Sequence, residues 1–196
     1  VTASNIDLEG NTTTGIAVSS SGLMTAGSIT VDGTSTTAAT IVSLGAITLN
    51  TSQGDLGVTA FNTSAGSSAG ISQSGTITGT SGSDISFVSN NVISQSGAIN
   101  LAANVSGTAA SVTYDTSSGN RLSTITGGTI TIASTSSTSA INYLMKSSGS
   151  ALDPGTVGTS SVRLPGTITI DNTYGGSPSA SAYLTTSTFT STNTTS

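Results

Sequence analysis

The chain contains no cysteine, no histidine and no tryptophan, and only three prolines in 196 residues. Without Cys there is neither a disulfide framework nor a thiolate metal site, a composition that suits a protein exported through an oxidising compartment. Without His there is no Ser-His-Asp triad. Positive charge is almost missing too: Arg121, Lys146 and Arg163 stand against eight acidic residues, for a net charge of −5. Such a chain has no basic stripe to displace counterions from phosphates, which argues against nucleic acid and against an anionic membrane surface. No apolar run approaches the ~20 residues of a membrane-spanning helix, so no membrane insertion is expected. Glu and Lys, the charged helix formers, are nearly absent, and no segment carries an i, i+3, i+4 apolar stripe, so helix should be minimal.

What fills the chain instead is 39 Ser, 38 Thr and 24 Gly. Val, Ile, Leu and Phe together make up a low share, close to the level at which disorder becomes the default. Disordered chains of that kind combine weak hydrophobicity with high net charge. Here charged residues are 6% and mean hydropathy is +0.18. The apolar residues are mostly β-branched and alternate with Ser or Thr, which is the period of a strand. A folded all-β protein follows.

One phrase recurs: GSITV at 27–31, GAITL at 45–49, GTITG at 75–79, GAINL at 97–101, and GTITI at 128–132 and 166–170. Its alternation turns Thr129 and Thr131 to one side and Ile130 and Ile132 to the other. The leading Gly suits a bend where φ can be positive at no steric cost. Period-2 stretches at Ile85–Val88, Val112–Tyr114 and Ile141–Met145 belong to the same class. Ile71-Ser-Gln-Ser-Gly75 repeats as Ile93-Ser-Gln-Ser-Gly97, and the offset from Ile71 to Ile93 is the size of one solenoid coil. The expected fold is a parallel β-helix (β-solenoid) over residues 1–182, with Ile47, Ile77, Ile99 and Ile130 in one interior column and a Ser/Thr-rich terminal strand or tail over 183–196. The steps between copies are uneven, shortest from Gly27 to Gly45 and longest from Gly128 to Gly166, and imply inserted loops or hairpins around 102–127 and 133–160. The competing architecture is an antiparallel β-sandwich, which calls for hairpin signals between neighbouring strands. Asp32-Gly33 is the one Asp-Gly, and Asn-Gly does not occur.

GSITVDG (27–33), LGAITLNTSQGDLGV (44–58), ISQSGTITG (71–79), ISQSGAINLAANVSG (93–107) and TGGTITI (126–132) resemble the β-strand repeats of filamentous-haemagglutinin-like adhesins and giant autotransporter passengers of Gram-negative bacteria. The likeness covers most of residues 20–175. It implies a right-handed parallel β-helix, secreted unfolded and displayed on the cell surface as an extended stalk. Neither a secretion-recognition domain nor a C-terminal membrane barrel is visible, so an interior or processed segment is expected.

Chemistry-bearing residues are sparse. Asp7, Glu9, Asp32, Asp55, Asp84, Asp115, Asp153 and Asp171 are the only side-chain carboxylates. β-Helix enzymes that act on polysaccharides cluster carboxylates on neighbouring coils, and paired carboxylates suit glycoside hydrolysis. These acids sit singly beside Gly, Asn or Ser, as in Asp32-Gly33 and Asp153-Pro154-Gly155, and read as turn formers. No catalytic, cofactor-binding or metal-ligating residue is assigned, no cofactor is expected, and the chain reads as a non-enzyme. The calcium-roll repeat is absent, leaving Asp7 and Glu9 as an adventitious cation position at most. Sequons at Asn11, Asn50, Asn62, Asn104 and Asn193 match the about five that composition alone gives. Thr pairs at 76/78, 129/131 and 167/169 resemble the ranks of ice-binding solenoids, but uneven spacing and Ser28, Ala46 and Ala98 interrupt them. Tyr174 is the aromatic best placed for a carbohydrate contact, and Lys146 is the one candidate for an isopeptide bond.

A solenoid exposes a strand edge at each end. No capping helix and no charged terminal strand is evident, so either further coils continue the stack or copies associate by adding strand to strand. The functional expectation is an extracellular structural and adhesive element at the cell surface, whose partners are copies of itself and host or matrix glycans. The alternatives are a self-assembling filament or sheath subunit and, further off, a polysaccharide-acting enzyme or an ice-binding solenoid.

Overall fold

The computed structural model describes residues 1–13, 17–36, 40–63, 70–103, 109–117, 124–132, 139–145, 152–153, 155–158, 167–172 and 188–189. Among the described residues, twenty strands, numbered in chain order, form three parallel sheets, and no helix occurs. Sheet I holds β1 (Asn5–Thr12), β4 (Ser28–Ser35), β7 (Leu56–Asn62), β10 (Asp84–Ser89), β13 (Ser111–Asp115), β16 (Ala140–Met145) and β19 (Thr167–Asn172). Sheet II holds β2 (Val18–Ser20), β5 (Val42–Leu44), β8 (Gly70–Gln73), β11 (Val92–Gln95), β14 (Thr124–Thr126) and β17 (Leu152–Asp153). Sheet III holds β3 (Met24–Ala26), β6 (Ile47–Leu49), β9 (Ile77–Thr80), β12 (Ile99–Ala103), β15 (Thr129–Ile132), β18 (Thr156–Val157) and β20 (Thr188–Phe189). From β1 to β19 every third strand lands in the same sheet, so the chain winds as a three-sided β-solenoid, and the sandwich alternative is excluded; β20 pairs directly with β18.

The interior is a set of in-register columns. On sheet III, Met24, Ile47, Ile77, Ile99, Ile130 and Val157 lie one above another, each no more than 2% exposed. On sheet I the column runs Ile6, Ile29, Leu56, Ile85, Val112, Ile141, Ile168. Val18, Val42, Ile71, Ile93 and Ile125 form the column of sheet II. Each fully buried aliphatic contributes about 1.5–3 kcal/mol, so a chain with few apolar residues folds by concentrating them on one side of every strand. The neighbouring Ser and Thr face outward, as in the exposed-buried-intermediate-buried pattern of Thr129–Ile132.

The repeated phrase differs from expectation in two respects. Only the copies at Gly45, Gly75, Gly97 and Gly128 mark successive turns of one face; those at Gly27 and Gly166 lead into β4 and β19 of sheet I. The uneven steps therefore mix full turns with passages between faces. Within 102–127 and 133–160, where insertions were expected, β13, β14, β16, β17 and β18 occupy regular places in the three sheets with parallel pairings, and the stretches 104–108, 118–123, 133–138, 146–151, 154 and 159–160 that would hold inserted loops lie outside the described residues.

The second difference is the reason for glycine. Among the described residues, positive φ occurs only at Gly155 (66°) and Gly158 (75°). Gly45, Gly75, Gly97, Gly128 and Gly155 form a corner column between sheets II and III, where successive turns pack backbone on backbone. A Cβ at Gly97 would overlap the carbonyl of Gly75, and one at Gly128 would press on the Gly97 oxygen. Glycine is needed there for close approach.

The first strand also corrects the reading of the ends. Edge strand β1 carries Asp7 and Glu9, both exposed, so the strand is charged; charge on an edge discourages indiscriminate pairing. Ahead of it, Val1–Ser4 lies along β3: Thr2 bridges Thr25, and the Val1 amino group donates to Leu23 O at 2.9 Å. Of residues 183–196 only β20 is described; it pairs with β18, Phe189 opposite Val157.

Candidate functional surfaces

The outward faces differ in chemistry. Sheet II presents a serine rank, Ser19, Ser43, Ser72 and Ser94, continued by Thr126. Sheet III presents Thr25, Thr48, Thr78, Asn100 and Thr131, one residue per turn. Despite the irregular sequence spacing, the outward residues of this rank stack evenly. The flanking column remains mixed: register places Leu23, Ala46, Ala98 and Thr129 one position before Met24, Ile47, Ile99 and Ile130. An ice-type double rank is interrupted there, and Leu23, 53% exposed, is its most apolar member.

Sheet I collects the acids. Asp7 and Glu9 on β1, Asp32 on β4, Asp84 on β10 and Asp115 on β13 lie in its strands, and Asp55 immediately precedes β7. Asp171 falls at the register position beside Leu144 on β19, whereas Asp153 belongs to β17 of sheet II. Asp7, Glu9 and Asp32 lie inside strands, contrary to the turn reading, and Asp32-Gly33 continues β4, whereas Asp55, Asp84 and Asp115 stand at strand ends. Gly33 is glycine because a Cβ there would press on Ile41 and Val42 of the adjoining wall.

Winding pairs acids that are far apart in sequence. Glu9 stands directly beside Asp32 in the β1–β4 register, an arrangement of like charges that costs stability. The two residues border a shallow groove of about 350 Å³ with Gly10, Asn11 and Thr34. Asp55 Oδ1 accepts the backbone N–H of Asp84 at 3.2 Å, and Asp84 Oδ1 accepts from the Ser111 N–H at 2.9 Å and its hydroxyl at 2.7 Å. Gln53, Asp55, Gly82, Asp84 and Ala109 line a second groove of about 360 Å³. Asp115 Oδ1 accepts from the Ser117 N–H at 2.8 Å and its hydroxyl at 2.7 Å. These bonds make Asp84 and Asp115 formers of the corners around sheet I. Among the described residues, no three acids converge as a metal-binding group.

The structure separates the sequons. Asn11 and Asn50 are exposed, while Asn62 is 3% exposed and built into the corner, its N–H donating to Asn90 Oδ1 at 2.9 Å and its carbonyl accepting from Asn90 Nδ2 at 2.7 Å. Asn104, Asn193, Tyr174, Lys146, Arg121 and Arg163 lie outside the described residues.

Polar and aromatic chemistry inside the solenoid was not read from the sequence. Phe87, Tyr114 and Tyr143 point inward from consecutive strands of sheet I and stack at centroid separations of 5.5 and 5.2 Å. Opposite them, Gln73 and Gln95 occupy paired inward positions of sheet II, both 0% exposed. Gln95 Oε1 accepts from the Tyr114 hydroxyl at 2.8 Å and from Gly128 N–H at 2.6 Å, and its Nε2 donates to Gly97 O. Burial holds the Tyr114 hydroxyl well above the usual tyrosine value of 10.0, and the neighbouring Tyr143 adds to the effect. The only hint in the sequence was that two of the three glutamines recur in the ISQSG repeat.

Set against models of known protein families, curated proteins and solved structures, the chain has no match.

Proposed function

We propose that this chain is an extracellular structural and adhesive β-solenoid, a segment of a stalk displayed at the cell surface, and that it acts without catalysis. The observation that supports this reading most directly is the continuous column Met24–Ile47–Ile77–Ile99–Ile130–Val157. A core made of identical layers gives a rod whose length grows by about 4.8 Å per turn, without requiring a concave site. Its walls are ranks of hydroxyls and amides repeated at the same interval, suited to many weak contacts with a repetitive partner such as a matrix or host glycan. The adhesin resemblance of the repeats adds the expectation of surface display.

Negative-stain imaging of the purified 196-residue chain tests the reading. Short monodisperse rods, together with antibody labelling of intact source cells, are the expected result. Long regular fibres would replace the stalk with a self-assembling filament subunit, and absence of label from intact cells would remove the surface role.

A second reading, a polysaccharide-acting enzyme, is favoured by one observation: Asp55 and Asp84 meet on adjacent turns beside a groove. Depolymerisation of an acidic polysaccharide, abolished by Asp84→Asn with the fold intact, would establish it over the structural role.

A further inference from the structure

We draw no further inference here: the strongest candidate, the acidic outer face of sheet I with Glu9 beside Asp32 and Asp55 beside Asp84, is a cluster of carboxylates for which nothing in the structure shows what covers it.

Discussion

Two successive turns carry the same five residues, Ile71-Ser-Gln-Ser-Gly75 and Ile93-Ser-Gln-Ser-Gly97, in register, yet their glutamines are bonded differently. Gln95 Oε1 receives two donors, Tyr114 Oη and Gly128 N. Gln73 keeps the amide side of the arrangement, its Nε2 donating to Gly45 O at 3.4 Å and to Gly75 O, but its Oε1 has no partner among the described residues. Part of the cause lies across the interior. On sheet I the residue in register with Tyr114 one turn earlier is Phe87, which lacks the hydroxyl. Gly97 N–H, the counterpart of Gly128 N–H, donates instead to the Gln73 backbone carbonyl at 3.4 Å. A buried acceptor without a donor costs about 1–3 kcal/mol, so identical local sequence yields one satisfied turn and one weakened.

The largest expected effect tests what the two turns share. Gly75→Ala and Gly97→Ala should each destabilise by more than about 4 kcal/mol, because the new methyl meets backbone of the preceding turn that cannot rotate away. Gly57→Ala, with nothing within 4 Å of the added carbon, should be neutral or better. Urea midpoints distinguish the two outcomes, and a mild effect at Gly97 would break the close-approach account.

Next comes the difference between the glutamines. Gln95→Leu strands both the Tyr114 hydroxyl and the Gly128 N–H, and should cost about 3 kcal/mol. Gln73→Leu gives up the Nε2 donations to Gly45 O and Gly75 O but also removes a buried oxygen that no donor uses, and should cost about 1 kcal/mol or less. Equal costs in denaturant titrations would erase the distinction.

Tyr114→Phe should lower stability near pH 7 by about 1.5 kcal/mol, since Gln95 Oε1 then loses one of its donors. The same variant carries a pH signature. The folded protein holds the Tyr114 proton more tightly than the unfolded chain does, so that stability is fully present below pH 10.0 and falls as pH rises beyond it. Without the hydroxyl this decline is reduced, and the gap between the two proteins should narrow between pH 9 and about 11. A constant gap would mean the hydroxyl does not titrate as a buried group.

The smallest expected change is a gain. Phe87→Tyr supplies the missing donor opposite Gln73 and should stabilise by about 1 kcal/mol, read as a rise in thermal midpoint. In the Gln73→Leu background the same change should become destabilising, because the new buried hydroxyl then has no acceptor.

Legibility followed range. The alternation of Ile with Thr in GTITI located the strands, and the ISQSG repeat, begun at Ile71 and again at Ile93, located one full turn, since both depend on patterns read along the chain. The six copies of the phrase could not be assigned to faces, because a strand entering sheet I and one entering sheet III need the same buried-exposed pattern. The acids escaped sequence reading for a related reason. A neighbouring Gly makes Asp32 look like a turn residue, while its place inside β4, beside Glu9, depends on β1 of the preceding turn. Tyr114 and Gln95 gave no signal, because these partners meet only across the interior.

By itself the sequence determined an all-β solenoid with aliphatic residues inside and hydroxyls outside, because strand alternation and low charge leave a chain this poor in apolar residues few other ways to bury them. Tertiary structure alone decided which copies of a repeat stack on which, that glycine serves contact between turns, that most carboxylates gather on one face, and that one glutamine is satisfied where its twin is not. Each of these is set by what lies one turn away or across the core, at separations that local patterning does not encode.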